Sequence, residues 1–184
     1  MRRPYASPRR FIGSLKMPLY KGDAFAPDQW RILAQGEDFP PSGKVILTLP
    51  QWQDAKHQAR PADIALGLFV EPGTSAQTIA PELRHFALVM IAFPKFTDGR
   101  GYSLAHQFRR SYGFRGELRA TGDILFDQLQ LLARCGFDSF DIRDEATLRL
   151  LEEGRRPDLG IFYQPGLGRE VAEETRPWAR RALA

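Results

Sequence analysis

Between Lys44 and Gly154, short apolar runs alternate five times with amphipathic stretches, and this alternation restricts the fold more than any other feature of the chain. The runs are KVILTL, DIALGLFV, FALVMIAF, GELRATG and FDSFDIR. Near-continuous β-branched and aliphatic runs of this length read as strands buried on both faces. Each is followed by a segment with helical spacing: QWQDAKHQAR, AQTIAPELRHF, LAHQFRRSYG, ILFDQLQLLARCG and DEATLRLLEEG. Thr74 or Ser75, Ser103 and Asp123 are suited to cap the second, third and fourth of these helices, and Gly113, Gly136 and Gly154 to end the third, fourth and fifth. Pro81 shortens or breaks the second. The pattern predicts an α/β fold of repeated βα units, with a mostly parallel sheet of about five strands flanked by helices. An open doubly wound sheet and a half-barrel would both produce it.

Outside this block the signals change. Residues 1–43 carry Pro and Gly punctuation and read as an irregular or hairpin-forming lead-in, with DQWRIL a short strand or turn. The α/β domain is expected over 44–164. A tail over 165–184 follows, in which EVAEETRPWARRA reads as a final exposed helix. Trp30, Trp52 and Trp178 fall outside the strongest repeats and read as core edge, the alternative being a partner-facing patch.

With 43% hydrophobic and 26% charged residues over 184 positions, the chain has the composition of one soluble domain. Its net charge of +4 derives partly from Arg2, Arg3, Arg9 and Arg10 at one end and Arg176, Arg180 and Arg181 at the other, which argues against nucleic acid as a partner. The basic start MRRPYASPRRF lacks the apolar core of a secretion signal, and no run is long and apolar enough for a membrane. The expected location is the cytoplasm. A single cysteine, Cys135, precludes an internal disulfide, and its place near a helix carboxyl end favours a buried small hydrophobe over a nucleophile. His57, His85 and His106 lack ligand spacing, so no metal site is expected. No G-x-G-x-x-G or G-K-[ST] loop opens a helix, so the sequence assigns no cofactor.

In a parallel sheet, all strand carboxyl ends and helix amino ends meet at one edge, where ligands bind. The junctions Glu71–Ser75, Lys95–Ser103, Arg119–Asp123 and Asp141–Glu145 place polar residues there. Lys95, Arg100 and Arg119, with Ser103 beside them, are candidates to hold an anion against helix amino termini. Asp98, Asp123 and Asp141 would orient these cations or carry protons. The competing reading is a solvated turn in which Asp123 is only a cap.

The motifs FPKFTDGRGYSLA, GELRATGDILFDQL and RCGFDSFDIRD resemble those of a proteobacterial family of unknown function, typically encoded beside assimilatory sulfite reductase. The resemblance extends from PLYKGD and WRIL to FYQP. It covers Lys95, Asp98, Arg100, Ser103, Arg119 and Asp123, and it adds Glu117 as a catalytic candidate beside Asp98 and Asp123, together with Asp127 and Gln128. It implies a role in sulfite reduction or sulfate assimilation. Three functions compete: an accessory protein docking on sulfite reductase or its electron donor, a small enzyme or binding protein for an oxyanion or phosphate ester, and a flavin or nicotinamide oxidoreductase.

Overall fold

A computed structural model describes residues 18–157, 166–167, 170–173 and 176–182, the last two stretches as backbone. The basic N-terminal arginines and FYQP therefore lie outside the described residues. The elements are β1 (Leu19–Lys21), β2 (Ala24–Ala26), β3 (Trp30–Ile32), β4 (Gly43–Thr48), α1 (Leu49–Ala55), β5 (Ile64–Val70), α2 (Ala76–Ile79), a 3-10 helix (Ala80–His85), β6 (Leu88–Phe93), α3 (Arg100–Arg110), β7 (Glu117–Gly122), α4 (Gln128–Arg134), β8 (Ser139–Ile142), α5 (Glu145–Glu152), β9 (Glu170–Glu173) and β10 (Arg176–Ala182). All five expected βα units are present.

One eight-stranded sheet runs in the order β2-β1-β8-β7-β6-β5-β4-β3. From β3 to β8 each strand is parallel to the next. The β1–β2 hairpin adds two antiparallel strands beside β8. The expectation of a mostly parallel, five-strand sheet is thus corrected to a mixed sheet of eight. Strands of three residues, such as β1, β2 and β3, are too short to show periodicity, so they were not separable from loop in sequence.

The strand order never reverses, which removes the doubly wound alternative. Right-handed crossovers stepping always in one direction leave every helix on the same face. Accordingly Trp52, Ile79, Phe108, Leu129 and Leu151 pack with Leu47, Leu68, Ile91, Leu118 and Ile142 in one cluster. The other face carries Ile46, Phe69, Leu88, Met90 and Ala92, with Trp30 and Ile32 against them.

That second face is concave. Only Pro27–Gln29 separate β2 from β3, although these are the two edges of the sheet. Four peptide steps span at most about 15 Å, whereas eight flat strands would hold their edges about 34 Å apart. The sheet therefore curls into a half-barrel-like trough, and its inner face becomes an interior.

Local chemistry sets the helix boundaries. Thr48 and Gln51 form a reciprocal capping box that starts α1. Pro81 converts the second helix to a 3-10 turn after one α turn. Helix α3 starts at Arg100 with Gly99 as its cap residue, so Ser103 lies within its first turn and is not the cap. Helix α4 starts only at Gln128 and Asp123 does not cap it, because that carboxylate is engaged elsewhere. A Cβ on Gly101 would lie 2.5 Å from the Phe93 ring, which explains a glycine where α3 crosses β6. In the tail, β9 and β10 pair antiparallel where a helix was expected.

Candidate functional site

Strands β3 to β8 deliver their carboxyl ends to one rim, the position at which βα barrels carry their sites. Three assemblies lie there or in the trough below it.

The first is the loop from Pro94 to Gly99. Phe93 ends β6, and Asp123 donates its backbone N–H back to the Phe93 carbonyl at 2.7 Å. The Asp123 carboxylate accepts the Phe96 N–H at 2.9 Å, and the Gln128 amide donates to the Phe96 carbonyl at 2.8 Å. Gln128 Oε1 also accepts from the Leu125 N–H at 3.1 Å, which anchors the clamp at the start of α4. Both polar groups of the Phe96 peptide unit are thus held while the residue itself is 48% exposed. Lys95 beside it is exposed.

Asp98 and Arg100 form a bidentate pair, Nε to Oδ1 at 2.8 Å and Nη2 to Oδ2 at 2.6 Å. Asp98 also accepts the Arg100 backbone N–H at 3.3 Å, which seats a carboxylate at the amino terminus of α3. Hydrogen bonding from Arg100 holds the Asp98 carboxyl below its usual value, against a smaller opposing effect of burial. Arg100 also packs over Gly73, whose φ of 88° turns the loop after β5.

The second assembly fills the trough. Glu117, Arg119 and Thr121 alternate with apolar neighbours along β7 and so face inward. Arg119, only 1% exposed, donates through Nε and Nη2 to Glu117 at 3.1 and 2.9 Å and through Nη1 to Asp28 at 2.9 Å. Glu117 further accepts from Lys21 at 2.6 Å and from Ser139 at 2.6 Å. Thr121 donates to Asp141 at 2.6 Å. Arg119 pairs in register with Met90, whereas Phe93 pairs with Gly122. It therefore sits about 10 Å back from the rim, three residues along the strand. Lys95, Asp98, Arg100 and Asp123 share the rim, Ser103 is exposed in the first turn of α3, and Arg119 and Glu117 belong to the trough.

Burial pushes the Glu117 carboxyl up, but hydrogen bonds from Lys21, Ser139 and Arg119 outweigh it and set the value at about 2, from an ordinary 4.5. Between those values the unfolded chain binds the extra proton, so stability rises with pH there. Denaturant titrations should show stability falling as pH drops from 4.5 towards 2, and Glu117→Gln should flatten that dependence. A wild-type slope retained in the variant would show that another carboxylate governs it. Asp141 acts in the opposite sense: burial raises it, and the Thr121 hydrogen bond only partly offsets that.

The third assembly is a cleft of about 1180 Å³ over the carboxyl ends of β3, β4 and β5. Among the described residues no group of His, Cys, Asp and Glu could hold a metal, and no helix is long and apolar enough to cross a membrane. Cys135 is half-buried at the end of α4 and its thiol is pushed up by burial, which opposes nucleophilic use.

Asp28, the partner of Arg119 in the trough, is absent from the sequence-derived candidates, whereas Asp141 is among them and pairs with Thr121. The signal was present as polar residues two apart, Glu117/Arg119/Thr121 and Ser139/Asp141, in otherwise apolar strands. No curated protein and no solved structure matches the chain significantly. A family model described as "Bacterial protein of unknown function (DUF934)" matches residues 67–173, over half of the chain and all three assemblies in part, and the chain belongs to that family.

Proposed function

We propose that this protein is an accessory factor of assimilatory sulfite reduction, docking on the reductase or its electron donor through the loop between β6 and α3. The sulfur context rests on the motif resemblance. The docking role rests on one observation: the Phe96 peptide is clamped on both sides by Asp123 and Gln128 while the residue stays 48% exposed. An aromatic ring held out on a fixed backbone loses little freedom on binding, which suits an interface anchor. Lys95 and the Asp98–Arg100 pair flank that anchor with charge. Asp123 and Gln128 have a positioning task in that clamp, and it accounts for both side chains without catalysis.

A free oxyanion at the same place is the weaker reading. Asp98 already supplies a carboxylate to Arg100 and to the first N–H of α3, so an external anion would have to displace it. Lys95 and Arg100 would receive no help from Arg119.

The test is capture of sulfite reductase or its electron donor from sulfate-grown cells. Wild-type protein should retain one of them, and Phe96→Ala should weaken retention roughly tenfold or more. Its melting temperature should stay near wild type because the side chain is exposed. Undiminished capture by Phe96→Ala, or normal sulfate growth and sulfite reductase activity without the gene, would overturn the proposal.

A further inference from the structure

The cleft over β3, β4 and β5 differs in charge from the β6 loop. Leu33, Phe39, Leu47, Phe69 and Ile79 give it an apolar floor, while Glu37, Asp38, Asp54 and Glu71 supply four carboxylates. Among the described residues no lysine, arginine or histidine lines it. Glu37 is paired with Arg31 at 2.6 Å, whereas among the described residues no cation pairs with Asp38, Asp54 or Glu71.

Its walls are preformed. The Gln51 amide donates to the Leu33 carbonyl at 3.0 Å and its oxygen accepts from the Thr48 N–H at 2.8 Å, joining the loop after β3 to α1. Glu37 accepts the Ala34 N–H at 3.0 Å and closes that loop on itself. The Thr74 hydroxyl donates to the Glu71 carbonyl at 2.8 Å and fixes the opposite wall. A large cleft with an apolar floor and few polar groups, at the carboxyl ends of parallel strands, has the form of a small-molecule site.

We infer that this cleft binds an organic cation, an amine with an apolar body, whose hydrocarbon lies on the Leu33–Phe69 floor and whose ammonium faces Asp54 and Glu71. Anions are disfavoured by three uncompensated carboxylates at the mouth. This inference is independent of the docking role and can fail without it, because no cleft carboxylate belongs to the Phe96 clamp.

Phenylbutylamine and phenylbutyrate share a carbon skeleton and differ in charge, so they separate apolar filling from cation recognition. Calorimetric titration of the full chain should show the amine binding about tenfold or more tightly, a preference that shrinks as salt screens the carboxylates. The double variant Asp54→Asn, Glu71→Gln should bring the two affinities close together while its melting temperature stays near wild type, since both side chains are exposed. Methyl resonances of Leu33 and Leu47 should shift with the amine and locate it. No amine binding, equal affinity for the two probes, or a preference that survives the double variant would each overturn the inference.

Discussion

Arg119→Ala should cost about 3–5 kcal/mol of folding free energy, the range found when one partner of a buried ion pair is removed. Arg119 is 1% exposed and is the shared donor of Glu117 and Asp28. Its removal leaves Glu117 with Lys21 and Ser139, and Asp28, among the described residues, with only the Trp30 N–H at 3.1 Å. The position magnifies the effect. Asp28 lies in the three-residue link between β2 and β3, the two edges of the sheet, so the Arg119–Asp28 bond spans the trough and holds the curl. Urea unfolding measures the loss. Adding Asp28→Asn and Glu117→Gln to Arg119→Met should recover a substantial part of it, since no carboxylate then remains buried without its cation. A loss below about 1 kcal/mol for Arg119→Ala would mean that water satisfies both carboxylates and the pair is equivalent to a surface bridge.

The parts of this fold that were legible in sequence are those whose strands are long and covered by helices. KVILTL, DIALGLFV and FALVMIAF are apolar on both faces and appear as β4, β5 and β6. Pro81 marked the break in the second helix correctly. What stayed hidden depended on geometry that no local pattern encodes. Three-residue strands are held in the sheet by their neighbours, so the hairpin alternative for the lead-in is realised in β1 and β2, but its place beside β8 is encoded by no local pattern. The curl follows from how few residues join β2 to β3, a fact that matters only once strand order is known. In the site, proximity along a strand is not proximity to the rim. Arg119 belongs to the same motif as Asp123, yet its inward side chain and depth assign it to Glu117 and Asp28. Sequence alone makes Asp123 a cap, an orienting group or a proton carrier, but its carboxylate holds the Phe96 N–H from 27 residues away.

At the amino ends of the strands, Arg109→Ala should cost about 3–4 kcal/mol, because one guanidinium there serves four acceptors. From the last turn of α3, Arg109 donates through Nε to the Gly136 carbonyl at 3.0 Å and through Nη1 to the carbonyls of Phe114 and Gly116, each at 2.8 Å. Its Nη2 meets the Asp138 carboxylate, which also accepts the Leu118 N–H at 2.8 Å. Those residues precede β7 and β8, so this side chain sets where both strands begin. Arg109→Lys should recover little, since a single ammonium cannot match a planar fork directed at separate carbonyls. Unfolding curves should show the full loss. Capture of the partner through Phe96, assayed well below the lowered melting point, should remain near wild type, because the affected bonds lie at the amino ends of the strands and the docking loop lies beyond their carboxyl ends. If Arg109→Ala abolishes capture while still folded, the two ends of the sheet are coupled and the loop's order depends on more than Asp123 and Gln128.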